Sequence, residues 1–156
     1  MKATRTELLT HHAHTHLDVF VDGKRVAVPA GIGINIHDPE VKPFDEPGGV
    51  SYGGIERCRK PCISPLHTHD ASGIIHTEAS SAKALTLGQL FTEWGVRLDE
   101  SCVRDGCDPE PIAFYIDGKR YRQDPRAIPL TDRKEIAIVI GTPPPRIPTT
   151  ADFSNA

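Results

Sequence analysis

Two Asp-Gly dipeptides constrain this chain more than any other feature. Asp22-Gly23 and Asp117-Gly118 lie within the similar hexapeptides Phe20-Val21-Asp22-Gly23-Lys24-Arg25 and Tyr115-Ile116-Asp117-Gly118-Lys119-Arg120. A two-residue type I′ turn needs φ > 0 at both central positions, which Asp-Gly tolerates, so each dipeptide predicts a tight β-hairpin. Before the first turn, Leu17, Val19 and Val21 alternate with Asp18 and Phe20, and Arg25-Val26-Ala27-Val28 returns. At the second, Ile112-Ala113-Phe114-Tyr115-Ile116 runs out and Lys119-Arg120-Tyr121-Arg122 runs back. Two copies do not make a repeat array; the same turn chemistry is used twice.

The rest of the chain fits the same β-rich class. It has 13 glycines and 14 prolines in 156 residues, above the usual share of about an eighth, which excludes long helical bundles and coiled coils. The length suits one domain and is too short for a (β/α)₈ barrel of about 250 residues. One helix is predicted over Leu87–Trp94: Thr86 is its N-cap, Leu87, Leu90, Phe91 and Trp94 recur at helical spacing, and Gly95 ends it. Pro29 to Asn35 is a turn leading to a third apolar stretch, Leu66 to Glu78 a second hairpin, and residues 99–111 a polar loop. Glu135 to Ile140 completes the core. The expected organisation is a polar lead (1–10), a single β-rich domain (11–141) with a long surface loop over 37–60, and a proline-rich flexible tail (142–156).

Charge excludes several partners. Lys and Arg number 18 against 21 Asp and Glu, a net −3, and the basic residues are scattered beyond Lys119, Arg120 and Arg122, so there is no nucleic-acid footprint. No run of 18 apolar residues exists to insert in a membrane. The N-terminal residues lack the apolar stretch of a signal peptide. The chain is therefore expected to be extracytoplasmic if a signal was trimmed, and cytoplasmic otherwise.

Histidine carries the chemistry. Of eight, His11, His12, His14 and His16 form one cluster, His67, His69 and His76 a second, and His37 stands apart. In a strand, alternate side chains share a face. If Asp70 pairs with Gly73 across the second hairpin, His67 faces His76, and His67, His69, His76 and Glu78 lie on one face. Cβ atoms of paired residues are about 4.5–5.5 Å apart, close enough for two imidazoles to share an ion with bonds of about 2.0–2.1 Å. His12, His14 and His16 share a face if the strand extends back that far, and either complete this site or form another; His11 and His12 alone read as N-terminal decoration. Glu78 is a candidate ligand, orienter of a ligand or general base. Imidazole donors suit Zn or Cu, and a 2-His-1-carboxylate subset suits Fe(II).

The four cysteines, Cys58, Cys62, Cys102 and Cys107, allow three pairings. Disulfides, local or crossed, are expected in these loop-like segments and would indicate an oxidising compartment. Free thiols and metal ligation stay open, with Cys62 five residues before His67.

Several resemblances bear on these residues. The segments Leu17 to Ile34, Leu87 to Trp94 and Thr131 to Ile140 resemble the opening hairpin, helix and closing strand of a β-grasp domain. His14-Thr15-His16 and His67-Thr68-His69 resemble the His-X-His signature of metal-dependent amidohydrolases, whose barrel the length excludes. The second, followed by His76 and Glu78, also resembles a cupin, implying a β-barrel as the alternative fold. Leu66-His67-Thr68-His69-Asp70-Ala71-Ser72-Gly73-Ile74-Ile75-His76-Thr77-Glu78 together with Thr86-Leu87-Gly88-Gln89-Leu90-Phe91-Thr92-Glu93-Trp94-Gly95 resembles a family of uncharacterised small bacterial and archaeal proteins, many of them exported or tethered. That likeness implies an extracytoplasmic setting.

The expectation is an α+β, β-rich domain with a β-grasp-like mixed sheet of hairpins and one main helix. It binds one divalent transition metal through His67, His69 and His76, with help from His14, His16 or Glu78, for binding, storage or delivery. The alternatives are a metal-dependent hydrolase or oxidoreductase with Glu78 as base, and a non-catalytic interaction module using the 37–60 loop and the tail.

Overall fold

A computed structural model of the chain describes residues 1–7, 10–79, 84–107 and 111–154. Parts of the polar lead (8–9), the polar loop (108–110) and the tail (155–156) lie outside them. In chain order the elements are β1 (His11–Val21), β2 (Lys24–Val26), β3 (Lys42–Glu46), β4 (Gly49–Gly53), β5 (Leu66–His67), β6 (Ile74–Ala79) and β7 (Leu85–Thr86). There follow α1 (Leu87–Trp94), β8 (Cys102–Val103), β9 (Gly106–Cys107), β10 (Ile112–Ile116), β11 (Lys119–Tyr121), β12 (Pro129–Leu130) and β13 (Lys134–Ile140).

The main sheet runs β11-β10-β13-β1-β6-β5, with β2 also paired to β1. It is open and mixed: β1 pairs parallel with β13 and antiparallel with β6 and β2. The sheet does not close on itself, so the barrel alternative is set aside. Both predicted turns take the expected conformation, with φ of 48° and 75° at Asp22 and Gly23 and 50° and 76° at Asp117 and Gly118.

Strand β1 organises the molecule because its two faces differ in chemistry. Leu17 and Val19 point to the core side, joining Ile75, Leu66, Ile136 and Ile138 against Leu87, Leu90 and Phe91 of the helix. Burying such aliphatic and aromatic side chains contributes about 1.5–3 kcal/mol each, so this layer holds the sheet to the helix. Thr86 N donates to the Gln89 side chain at 2.9 Å, and Gly95 ends the helix at φ 71°. His12, His14, His16, Asp18 and Phe20 occupy the other face. There β13 supplies Glu135, Ala137 and Val139, β6 supplies His76 and Glu78, and β5 supplies His67 in register with them. Phe20, Ala137 and Val139 form a small apolar cluster packed by Ile147 from the proline-rich segment.

The 37–60 stretch carries the β3–β4 hairpin. Its prolines and glycines, Pro43, Pro47, Gly48 and Gly49, interrupt the alternation that would have revealed it. Cys58 and Cys62 are disulfide-bonded, as are Cys102 and Cys107, so both pairings are local and Cys62 has no thiolate to offer a metal. Cys58 and Cys62 join Ile34, Val41, Ile55 and Ile63 in a satellite core beneath this excursion. No helix among the described residues is long and apolar enough to cross a membrane.

Candidate metal centre

The second hairpin folds in the predicted register, with His67 opposite His76 and Leu66 opposite Thr77. Gly73 makes the turn possible: its φ is 98°, and a Cβ there would stand 2.6 Å from the Leu17 carbonyl oxygen. Because β6 also pairs with β1, His76 lies directly opposite His14 and Glu78 opposite His12. Two hairpin strands and the start of β1 thus bring five imidazoles and one carboxylate onto one face. Adjacent ring centroids are 4.4 Å apart for His12–His14, 4.6 Å for His14–His76, 4.5 Å for His69–His76 and 4.8 Å for His67–His69.

The backbone fixes which nitrogens face inward. His67 Nδ1 lies 2.9 Å from the Ser64 carbonyl oxygen, and His69 Nδ1 lies against the Tyr52 carbonyl oxygen. A carbonyl oxygen only accepts, so both Nδ1 atoms carry hydrogen, and in the neutral imidazole each Nε2 presents a lone pair. Those two Nε2 atoms are 3.2 Å apart. Two lone pairs at that distance repel unless a proton or a cation stands between them. A proton on His67 is disfavoured: burial, then the neighbouring His69, pushes it down to about 3. Burial, followed by His69, His67, His14 and His12, pushes His76 down to about 2. His14 is lowered by burial and then by His12. At neutral pH these imidazoles are neutral, the form that ligates a metal. The edge of a tetrahedron with metal–nitrogen bonds of about 2.0–2.1 Å is ~3.3 Å, close to the separation observed. One ligand atom from each of His67, His69 and His76 lies within 4.8 Å of the others, and the same holds for His12, His14 and His76. Glu78 is buried, with Oε1 3.6 Å from His12 Nε2 and 3.9 Å from His67 Nε2.

Thr68 holds the His-X-His motif in place. Its side chain points away from the two histidines and is fully buried. Its hydroxyl donates to the Pro29 carbonyl at 2.8 Å and accepts from Ile32 N at 3.1 Å. Its backbone bonds Gly31 and Ile32. Strand β4 grips the same turn from the other side, with Tyr52 N donating to the His69 carbonyl at 2.9 Å. Replacing Thr68 with the near-isosteric valine leaves both hydroxyl partners unsatisfied and is expected to cost about 1–3 kcal/mol, read as a lower urea midpoint with unchanged slope.

His16 stands apart from the other histidines of the face. It sits with Asp18 and Glu135 in a separate buried group. Its Nδ1 donates to Glu135 Oε2 at 2.7 Å, and its Nε2 lies 3.0 Å from the Ser72 carbonyl oxygen. Glu135 accepts, so Nδ1 carries hydrogen, while Nε2 lies between the Ser72 carbonyl and the Arg25 guanidinium, whose Nη2 stands 3.1 Å away. Burial alone would lower His16, but the Glu135 hydrogen bond and charge outweigh it and raise it. Arg25 Nε closes the group by bonding Asp18. The structure brings His14, His67, His69, His76 and Glu78 together on one face and places His16 in this second group with Asp18 and Glu135. His12, read from the sequence as decoration, joins the cluster. Its parity with His14, two residues apart on one strand, was the signal for it.

His69 and His76 also line a cavity of about 830 Å³, together with Arg25, Glu46, Ser51 and Asp152. No family model matches this chain, and no curated protein or solved structure matches it either. The functional reading therefore rests on the site itself.

Proposed function

We propose that this protein binds a divalent transition-metal ion through His67, His69 and His76, and serves in metal binding, storage or delivery outside the cytoplasm. One observation carries the reading. The His67 and His69 Nε2 lone pairs converge at 3.2 Å while both Nδ1 atoms are tied to backbone carbonyls. Tying the far nitrogen of a ligating histidine in this way fixes its tautomer and orientation. The nitrogen-rich donor set favours zinc or copper, and Glu78 beside the histidines also suits iron. The two disulfides support an oxidising compartment. The parallel pairing of β1 with β13, the opening hairpin and the single helix support a β-grasp-like architecture. Titration of the metal-free protein with Co(II) tests the assignment. The expected result is tight binding with the strong visible bands of a tetrahedral nitrogen-ligated ion; no binding above background overturns it.

A second reading is favoured by the cavity beside His69 and His76. Three protein ligands and an adjoining cavity would leave room for a metal-bound water, with Glu78, beside His67 and His12, as the general base of a metal-dependent hydrolase. Under that reading Glu78→Gln keeps its metal and loses turnover of an activated ester, whereas a carrier shows no metal-dependent turnover in either form.

A further inference from the structure

The cluster holds more nitrogen ligands than one tetrahedral ion uses. We infer that it takes two metal ions, with the His76 imidazole bridging them. This rests on the reading of His67 and His69 as ligands and extends it to a second centre formed with His12 and His14.

Three observations carry the inference. First, His76 belongs to both ligand triads, one with His67 and His69, the other with His12 and His14. Second, His76 Nδ1 stands 3.3 Å from His12 Nε2, again about one edge of a tetrahedron with bonds of about 2.0–2.1 Å. That leaves His76 Nε2, on another edge of the ring, for the ion held by His67 and His69. Third, His14 Nε2 is buried without a hydrogen-bond partner. A buried nitrogen left unpaired costs free energy, and a cation between His12, His14 and His76 satisfies it. Glu78 borders both positions, with one oxygen 3.6 Å from His12 Nε2 and 3.9 Å from His67 Nε2. A bridging imidazole loses its remaining N–H proton to solvent as the second ion binds. The two centres differ in access: the His67 side chain is fully buried, whereas that of His12 is 33% exposed. The outer ion exchanges with solvent and the inner one is retained.

The test loads the metal-free full chain with Cu(II), removes free metal, and measures copper per chain and electron-spin intensity on one sample. The expected result is two coppers per chain with spin intensity well below the copper total, because an imidazolate bridge couples two Cu(II) centres antiferromagnetically. The double variant His12→Gln/His14→Gln is expected to hold one copper at full intensity. Should it fail to fold, His12→Gln alone, on a partly exposed side chain, is expected to lose the second copper. One copper in the unaltered chain, or two with full intensity, overturns the bridged pair while leaving the His67/His69/His76 assignment standing. No copper at all overturns both.

Discussion

Alanine at His67 or at His69 is expected to weaken metal binding by at least about 100-fold, since even groups that merely orient a ligand carry about 10–100-fold in affinity. Each substitution removes one of the two lone pairs that meet at 3.2 Å. His69→Ala is the cleaner variant, because its ring is only partly buried and tied by one carbonyl bond to Tyr52. His67→Ala also empties a fully buried position, so its affinity is compared with its unfolding midpoint to separate ligand loss from instability. Competition with a calibrated chelator gives the affinity, and an unchanged value in either folded variant contradicts the assignment.

The metal-free protein is expected to lose several kcal/mol of stability as pH falls below about 6.5. His67 and His76 are held at about 3 and about 2, mainly by burial, against about 6.5 in the unfolded chain. A histidine whose folded value is lowered contributes stability that is full above its unfolded value. That contribution is lost as pH falls towards the folded value, because only the unfolded chain takes up the proton. His16 acts with the opposite sign: its raised value gives stability that is full below about 6.5 and fades as pH rises through the folded value. Two strongly lowered groups outweigh this one, so the net slope below neutrality is downward. Urea unfolding in the presence of chelator between about pH 4 and pH 7 measures it. His76→Phe keeps a ring in place without titrating and is expected to flatten the slope. Bound metal is expected to move the acid transition to lower pH, since it stabilises only the folded state. A pH-independent midpoint would contradict the neutral buried cluster.

Local chemistry was legible in the sequence wherever the partners were close along the chain. The Asp-Gly turns, the Thr86-to-Gly95 helix and the His67–His76 register each follow from a handful of adjacent residues. Long-range pairing was not legible. His16 alternates with His14 in the sequence, but its separate grouping follows from Glu135, 119 residues away across a parallel strand pair. No local pattern reports that contact. The β3–β4 hairpin was hidden by its prolines and glycines, and with it the Tyr52 carbonyl that orients His69. Thr68 looked like a spacer between two histidines; its anchoring role appears only once Pro29 and Ile32 are packed beside it. The amphipathic alternation of β1 was visible only in part, since it reads as core packing from Leu17 onward and as histidine chemistry before it.

The most direct measurement is the metal content of the tag-free, purified chain together with X-ray absorption at the bound metal's edge. The account predicts at least stoichiometric zinc or copper with imidazole nitrogens at about 2.0–2.1 Å, a signal that loses imidazole scattering in His69→Ala. Protein that retains no metal and cannot be loaded, or a bound ion without imidazole scattering, would contradict it.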